Sequence, residues 1–198
     1  MQKLLLGIDA LSTWVGKTFA WCILVLTFAI VYEVVARYVF RAPTEWSYDI
    51  GYIMYGTLFM MAGAYTLSRN GHVRGDFLYR SWSPRRQATM DLVLYVLFFF
   101  PGMLAFVYAG WPYFVLSYIA NEHSIFTPGG PPIWPFKGVI PVVGVLMLLQ
   151  GAAEVIRCIQ TIRTGELPQR LHDVEELEKL AVEQAQQAQK AQEQGGSR

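Results

Sequence analysis

The sequence predicts an all-α integral membrane protein with four transmembrane helices and both termini in the cytoplasm. Three observations lead there. Apolar residues make up 54% of the 198 and charged residues only 16%, against roughly 25% charged in an average globular domain. The charges are also confined to joints: between Asp91 and Glu122 there is no Asp, Glu, Lys, Arg or His, a run longer than the ~20 apolar residues that cross a hydrocarbon core. A soluble helix of that length needs a polar face, and this one has none. Finally, with four spans the side holding the termini and middle loop carries ten basic residues (Lys3, Lys17, Arg69, Arg74, Arg80, Arg85, Arg86, Arg157, Arg163 and Arg170), whereas the other side has Arg37, Arg41 and Lys137. Excess Lys and Arg in short loops marks the cytoplasmic side.

The expected organisation is a four-helix membrane domain over residues 1–165, with spans at about 11–38, 45–68, 84–120 and 135–164, and a polar C-terminal tail over 166–198. Lys3 and the apolar Leu4 to Ile8 faintly suggest a secretory signal. Asp9 interrupts that run, no small-x-small cleavage site follows, and the apolar stretch resumes, so the segment is expected to be retained. Span one centres on the uncharged run Thr18 to Tyr32, extended toward the N-terminus if Lys17 snorkels to the headgroups. Glu33 and Arg37 close it at i,i+4 spacing, where they can neutralise each other on one helix face.

Pro43 disfavours helix at Ala42. Thr44 is the expected N-cap of a helix starting at Glu45, with Glu45 and Asp49 near the positive end of its dipole, and Trp46 has the place of an interfacial anchor. Span two, Ile50 to Leu67, carries Gly51, Gly56, Ala62, Gly63 and Ala64, small positions at which another helix could approach closely. The joint from Arg69 to Arg86 sets five arginines against Asp76 alone, and Ser83 with Pro84 reads as the N-cap and first residue of the next helix.

Span three, Leu92 to about Ala120, is long enough to tilt. Pro101 should distort it, because the ring removes a donor and clashes with the preceding turn. TPGGPP at Thr127 to Pro132 cannot continue a helix, and Trp134 marks the return to the interface. Span four, Phe136 to Ile156, has small positions at Gly138, Gly144 and Gly151; Gly165 and Pro168 stop its helix at about Thr164. In the tail, Leu171, Val174, Leu177 and Leu180 hint at a short amphipathic helix, and the Gln, Ala and Glu beyond Val182 read as solvated helix or disorder.

Chemistry is scarce. Cys22 and Cys158 sit in the first and last spans as small packing residues. A haem-binding anchor needs histidines facing each other inside spans, but His72, His123 and His172 all lie outside. No Walker loop, zinc signature or nucleophile elbow occurs, so no catalytic residue, metal ligand or cofactor is assigned. The net charge of +1, carried beside membrane spans, gives no sign of nucleic acid. A loop arginine such as Arg74 suits phospholipid headgroups. A transporter binding its own solute would carry polar groups or broken helices at the bilayer midplane, and spans two to four offer little beyond Thr57, Ser117 and tyrosine hydroxyls before Gln150. The chain looks like a partner of something larger.

RYVF at Arg37 to Phe40, then Pro43, Trp46 and Asp49, an apolar span, GHVRGD at Gly71 to Asp76, and PPIWPFKGVIP at Pro131 to Pro141 ahead of the Gln150 to Arg157 helix end together resemble the small membrane subunit (DctQ-like, Q subunit) of tripartite ATP-independent periplasmic (TRAP) transporters. The resemblance covers about Glu33 to Arg163. Two departures stand out: Ser47 and Tyr48 separate Trp46 from its acid, and Gly75 stands where a small apolar residue is common. The resemblance implies a bacterial inner-membrane system. In it a periplasmic solute-binding protein (DctP-like) captures an organic acid, and a large subunit (DctM-like) carries it inward on a sodium gradient while the small subunit packs against the large one's scaffold. On this reading the subunit-interface candidates are Glu33, Arg37, Trp46, Asp49, Gly51, Gly56, Gly63, Arg74, Asp76, Gly144 and Gly151. The alternative is a membrane anchor of a redox complex, and a stand-alone channel comes third.

Overall fold

The structure is a computed structural model that describes residues 2–69, 71, 82–127 and 129–165. Arg74, Asp76 and the tail from residue 166 lie outside the described residues, so the expectations attached to them are not addressed by the fold. The elements are α1 (Gln2–Ala20), α2 (Cys22–Tyr38), α3 (Ser47–Ser68), α4 (Pro84–Leu94), a π turn (Tyr95–Phe99), α5 (Phe100–Ile119) and α6 (Trp134–Thr164). Four stretches are long and apolar enough to cross a membrane: Gln2–Tyr38, Ser47–Ser68, Pro84–Ile119 and Trp134–Thr164. Among the described residues the largest fully buried side chains are all polar or charged, namely Arg157, Gln150, Asp9, Asp49, Ser12 and Ser117, whereas Phe28, Phe59, Phe98 and Tyr108 are at least 70% exposed. Such an inverted distribution suits a hydrocarbon solvent, in which backbone bonds must be closed within helices and polar side chains within the bundle.

Helix begins at Gln2, well before the expected start of span one near residue 11. Asp9, read from sequence as an interruption, is buried and paired inside the bundle. Only a one-residue irregularity at Trp21 separates α1 from α2. The second helix starts at Ser47, not Glu45. Thr44 does not cap it, because both its N–H and its hydroxyl donate to the Glu33 carboxylate. The third helix starts at Pro84 as the Ser-Pro pair predicts, although Ser83 makes no side-chain cap bond. The distortion expected from Pro101 is taken up one turn earlier, in the π turn, where the Phe100 N–H reaches back to the Tyr95 carbonyl. Widening the turn gives the proline ring room without severing the helix.

The long helix α6 is the hub: it packs against α1, α3, α4, α5 and the π turn, while α3 in turn packs against α1 and α2. Glycines set the closest approaches. Where α6 runs antiparallel to α5 and the π turn, Gly138 faces Phe114, Gly110 faces Ile140, Gly144 faces Val107 and Gly151 faces Phe99 of the π turn. Each small position receives a bulky side chain of the opposing helix. On α3, a Cβ at Gly56 would fall 2.6 Å from the Phe136 ring, and one at Gly63 would fall 3.4 Å from the Met147 sulfur. A small apolar centre, Val15, Met61 and Val143 with Phe19, Met60 and Leu146 against it, fills the meeting point of α1, α3 and α6.

A side chain added at a glycine of the α5–α6 seam must displace its neighbour, and overpacking of this kind costs about 1–3 kcal/mol. Gly151→Leu, aimed at the Phe99 ring, is expected to lower the thermal midpoint of the full chain in detergent. Gly7→Ala, where nothing lies within 4 Å of the new Cβ, is expected to leave it unchanged or raise it slightly.

Candidate functional site

The polar side chains gather at the two ends of the bundle. One end carries the joint between α2 and α3 and the loop between α5 and α6; call it the loop end. The other carries Gln2 and Thr164, the terminal end.

At the loop end, the α2–α3 joint is built on Glu33. Its carboxylate accepts from Arg37 one turn on and from both donors of Thr44, which anchors a chain reversal in which Arg41 takes a left-handed conformation at φ 55°. Trp46 then stacks on Tyr32 with ring centroids 5.7 Å apart. Asp49, fully buried in the first turn of α3, accepts from the hydroxyls of Ser124 and Thr127, so the helix start is tied to the 120–133 loop.

That loop is closed on itself. Just past the C-cap Ala120 of α5, Asn121 adopts φ 44° and lets the Glu122 N–H return to the Ser117 carbonyl, a Schellman ending. His123 Nδ1 lies 2.7 Å from the Gly130 carbonyl, the Ser124 N–H donates to Pro131 and the Ile133 N–H donates to Glu122. The Glu122 carboxylate pairs with Lys137, whose ammonium also lies 4.0 Å from the centre of the Tyr113 ring. This pairing holds the Glu122 carboxyl below the usual carboxylate range.

The second cluster joins α1 to α6 at the terminal end. Gln150, Glu154 and Arg157 recur at i, i+4 and i+7 on one face of α6, and Asp9 and Ser12 meet them from α1. Arg157 donates to Asp9 and Glu154, each at 2.5 Å. Gln150 donates to Asp9 at 2.9 Å and accepts from Ser12 at 2.8 Å. All five residues are at most 2% exposed. Helical rise places Gln150 roughly 24 Å and Arg157 roughly 35 Å along α6 from Trp134, so the network runs from the terminal half of the span to its edge. Charges confined to the joints are what the sequence predicts, and the buried pairing of Arg157 with Asp9 and Glu154 corrects that expectation. In the sequence the signal is three ionisable residues inside otherwise apolar helices, but locally Asp9 looks like a break and Glu154 with Arg157 like a helix end.

Of the expected interface residues, Glu33, Arg37, Trp46 and Asp49 come together at the loop end. Arg37 and Trp46 are exposed there, while Asp49 is spent inside the chain. The faces of Gly56, Gly63, Gly144 and Gly151 are occupied by the chain's own side chains, and Gly51 lies 4.0 Å from Leu26 by the same measure. Among the described residues no group of three His, Cys, Asp or Glu could hold a metal ion, and no disulfide joins Cys22 to Cys158. Chemically the two clusters act as locks: Arg157 faces Asp9 and Glu154, and Lys137 faces Glu122.

Residues 26–161, well over half the chain, match the family described as tripartite ATP-independent periplasmic transporters, DctQ component. No curated protein matches the chain. Asp9 and Ser12 fall before the matched segment, so the buried network joins it to the N-terminal helix.

Two outcomes follow from this geometry. Gln150→Leu removes the partner of Ser12 and one of the donors to Asp9, and an unsatisfied buried polar group costs about 1–3 kcal/mol; hydrogen exchange should show α1 opening before α3 and α5. Glu122 has its folded pKa depressed, so its contribution is present above the unfolded carboxylate pKa of about 4.3 and is lost as pH falls through the lower folded value. Exchange of the Ile133 amide is expected to speed up over that acidic window in the wild type, and Glu122→Gln should abolish the pH step.

Proposed function

Since the chain belongs to the family of DctQ components of tripartite ATP-independent periplasmic transporters, we propose that it is a non-catalytic scaffold for the large transport subunit of such a system. The system sits in a bacterial inner membrane and takes up an organic acid, delivered by a periplasmic binding protein, on a sodium gradient. The observation that carries the scaffold role is the inverted packing. The buried charges Arg157, Asp9 and Glu154 pair with one another inside the bundle, while large apolar side chains cover the outside of α2 and α5.

In lipid such a helix bundle gains association energy from shape and close packing, not from charge. The seams rich in glycine are filled internally, so the partner's surface is the exposed aromatic and aliphatic one, with Phe28, Tyr108 and Leu116 prominent on it. In the proposed orientation both termini are cytoplasmic, as the basic-residue asymmetry favours. The loop end then faces the periplasm, with Arg37, Arg41 and Trp46 placed where a binding protein docks.

Cells producing the large subunit and the binding protein are expected to take up solute only when this chain is also present. The chain should copurify with the large subunit through mild detergent. Uptake at full rate without it would contradict the scaffold role.

A further inference from the structure

At the start of α4 lies a groove of about 520 Å³ lined by Trp82, Arg85, Arg86, Thr89, Met90 and Val93. It belongs to neither polar cluster. Among the described residues neither Arg85 nor Arg86 forms an ion pair, and no acid lines the groove. Arg85 leans against the end of α6, where a Cβ on Gly165 would lie 3.3 Å from its Nε. Both arginines sit in a helical first turn that contains no acidic residue, the end at which the dipole disfavours a cation; helix stability does not explain them. Arg86, Met90 and Val93 recur at i, i+4 and i+7 and so share one face. Met90 and Val93 are each 44% exposed, and they lie roughly 6 and 10 Å deeper along the helix than Arg86.

Charge at the mouth with an apolar track beneath it is the shape of a phospholipid, not of a soluble anion. Guanidinium groups bind phosphate oxygens in forked geometry, and basic pockets at helix ends select acidic headgroups. A headgroup ammonium would instead meet two like charges. We propose that this groove binds one anionic phospholipid of the leaflet at the terminal end, its phosphate held by Arg85 and Arg86 and an acyl chain laid along Met90 and Val93. The site is independent of the transport reading.

The test is native mass spectrometry of the full chain released from nanodiscs of phosphatidylcholine containing phosphatidylglycerol. One retained phosphatidylglycerol per chain is expected, with at least a tenfold loss in Arg85→Gln/Arg86→Gln. Val93→Trp, which fills the apolar track and leaves the charges, should also release the lipid. Arg163→Gln, an exposed arginine at the same end, should not. Circular dichroism of each variant establishes that the helices persist. Equal retention by wild type and both groove variants, equal retention of phosphatidylcholine, or an equal loss in Arg163→Gln would overturn the assignment.

Discussion

The pairing of Arg157 with Asp9 is the constraint from which the rest of the bundle follows. Moving an isolated ion into hydrocarbon costs several kcal/mol even after relaxation, so neither residue can be left facing lipid. Asp9 therefore holds α1 against the terminal half of α6, antiparallel to it. Once α1 is seated, α3 packs on both, with the tight approach of Gly16 to Tyr65 and the Val15, Met61 and Val143 centre completing the contact. Glu154 supplies a second carboxylate and Gln150 bridges to Ser12, and these bonds turn one ion pair into a network that fixes the rotation of α1 as well as its position.

The loop end obeys the same rule with groups that range from fully buried Asp49 to exposed Arg37. Asp49 fastens the start of α3 to the loop through two hydroxyls, Glu33 fastens the α2–α3 reversal, and Glu122 with Lys137 fastens the start of α6. Between these two polar tiers the helices meet through glycine against aromatic or branched side chains. With its polar interactions closed at both ends, the bundle presents an apolar flank along its length, and a scaffold subunit in lipid needs such a flank.

Much of the fold was legible from the chain itself because hydrocarbon imposes simple requirements. The uncharged run from Leu92 to Asn121, the Ser83-Pro84 start and the Gly165 stop each act locally and each lie where a helix begins, continues or ends. What escaped depends on distant partners. Asp9 looks like a break because its partner is 148 positions away. Thr44 looks like a cap because Glu33, which takes both its donors, belongs to the preceding helix. The glycines announced close approach, but local sequence cannot say whether the approaching side chain comes from the same chain or another; here Phe136, Met147, Val107 and Phe99 fill that space.

The central claim is that Asp9 and Arg157 stabilise the bundle as a pair and not as independent residues. A double-mutant cycle, Asp9→Asn and Arg157→Gln singly and together, read from reversible unfolding of the full chain in a bilayer, measures that coupling directly. The expected interaction lies toward the upper end of the usual range of about 0.5–3 kcal/mol, with the double variant far less damaged than the sum of the singles. Additive losses would contradict it.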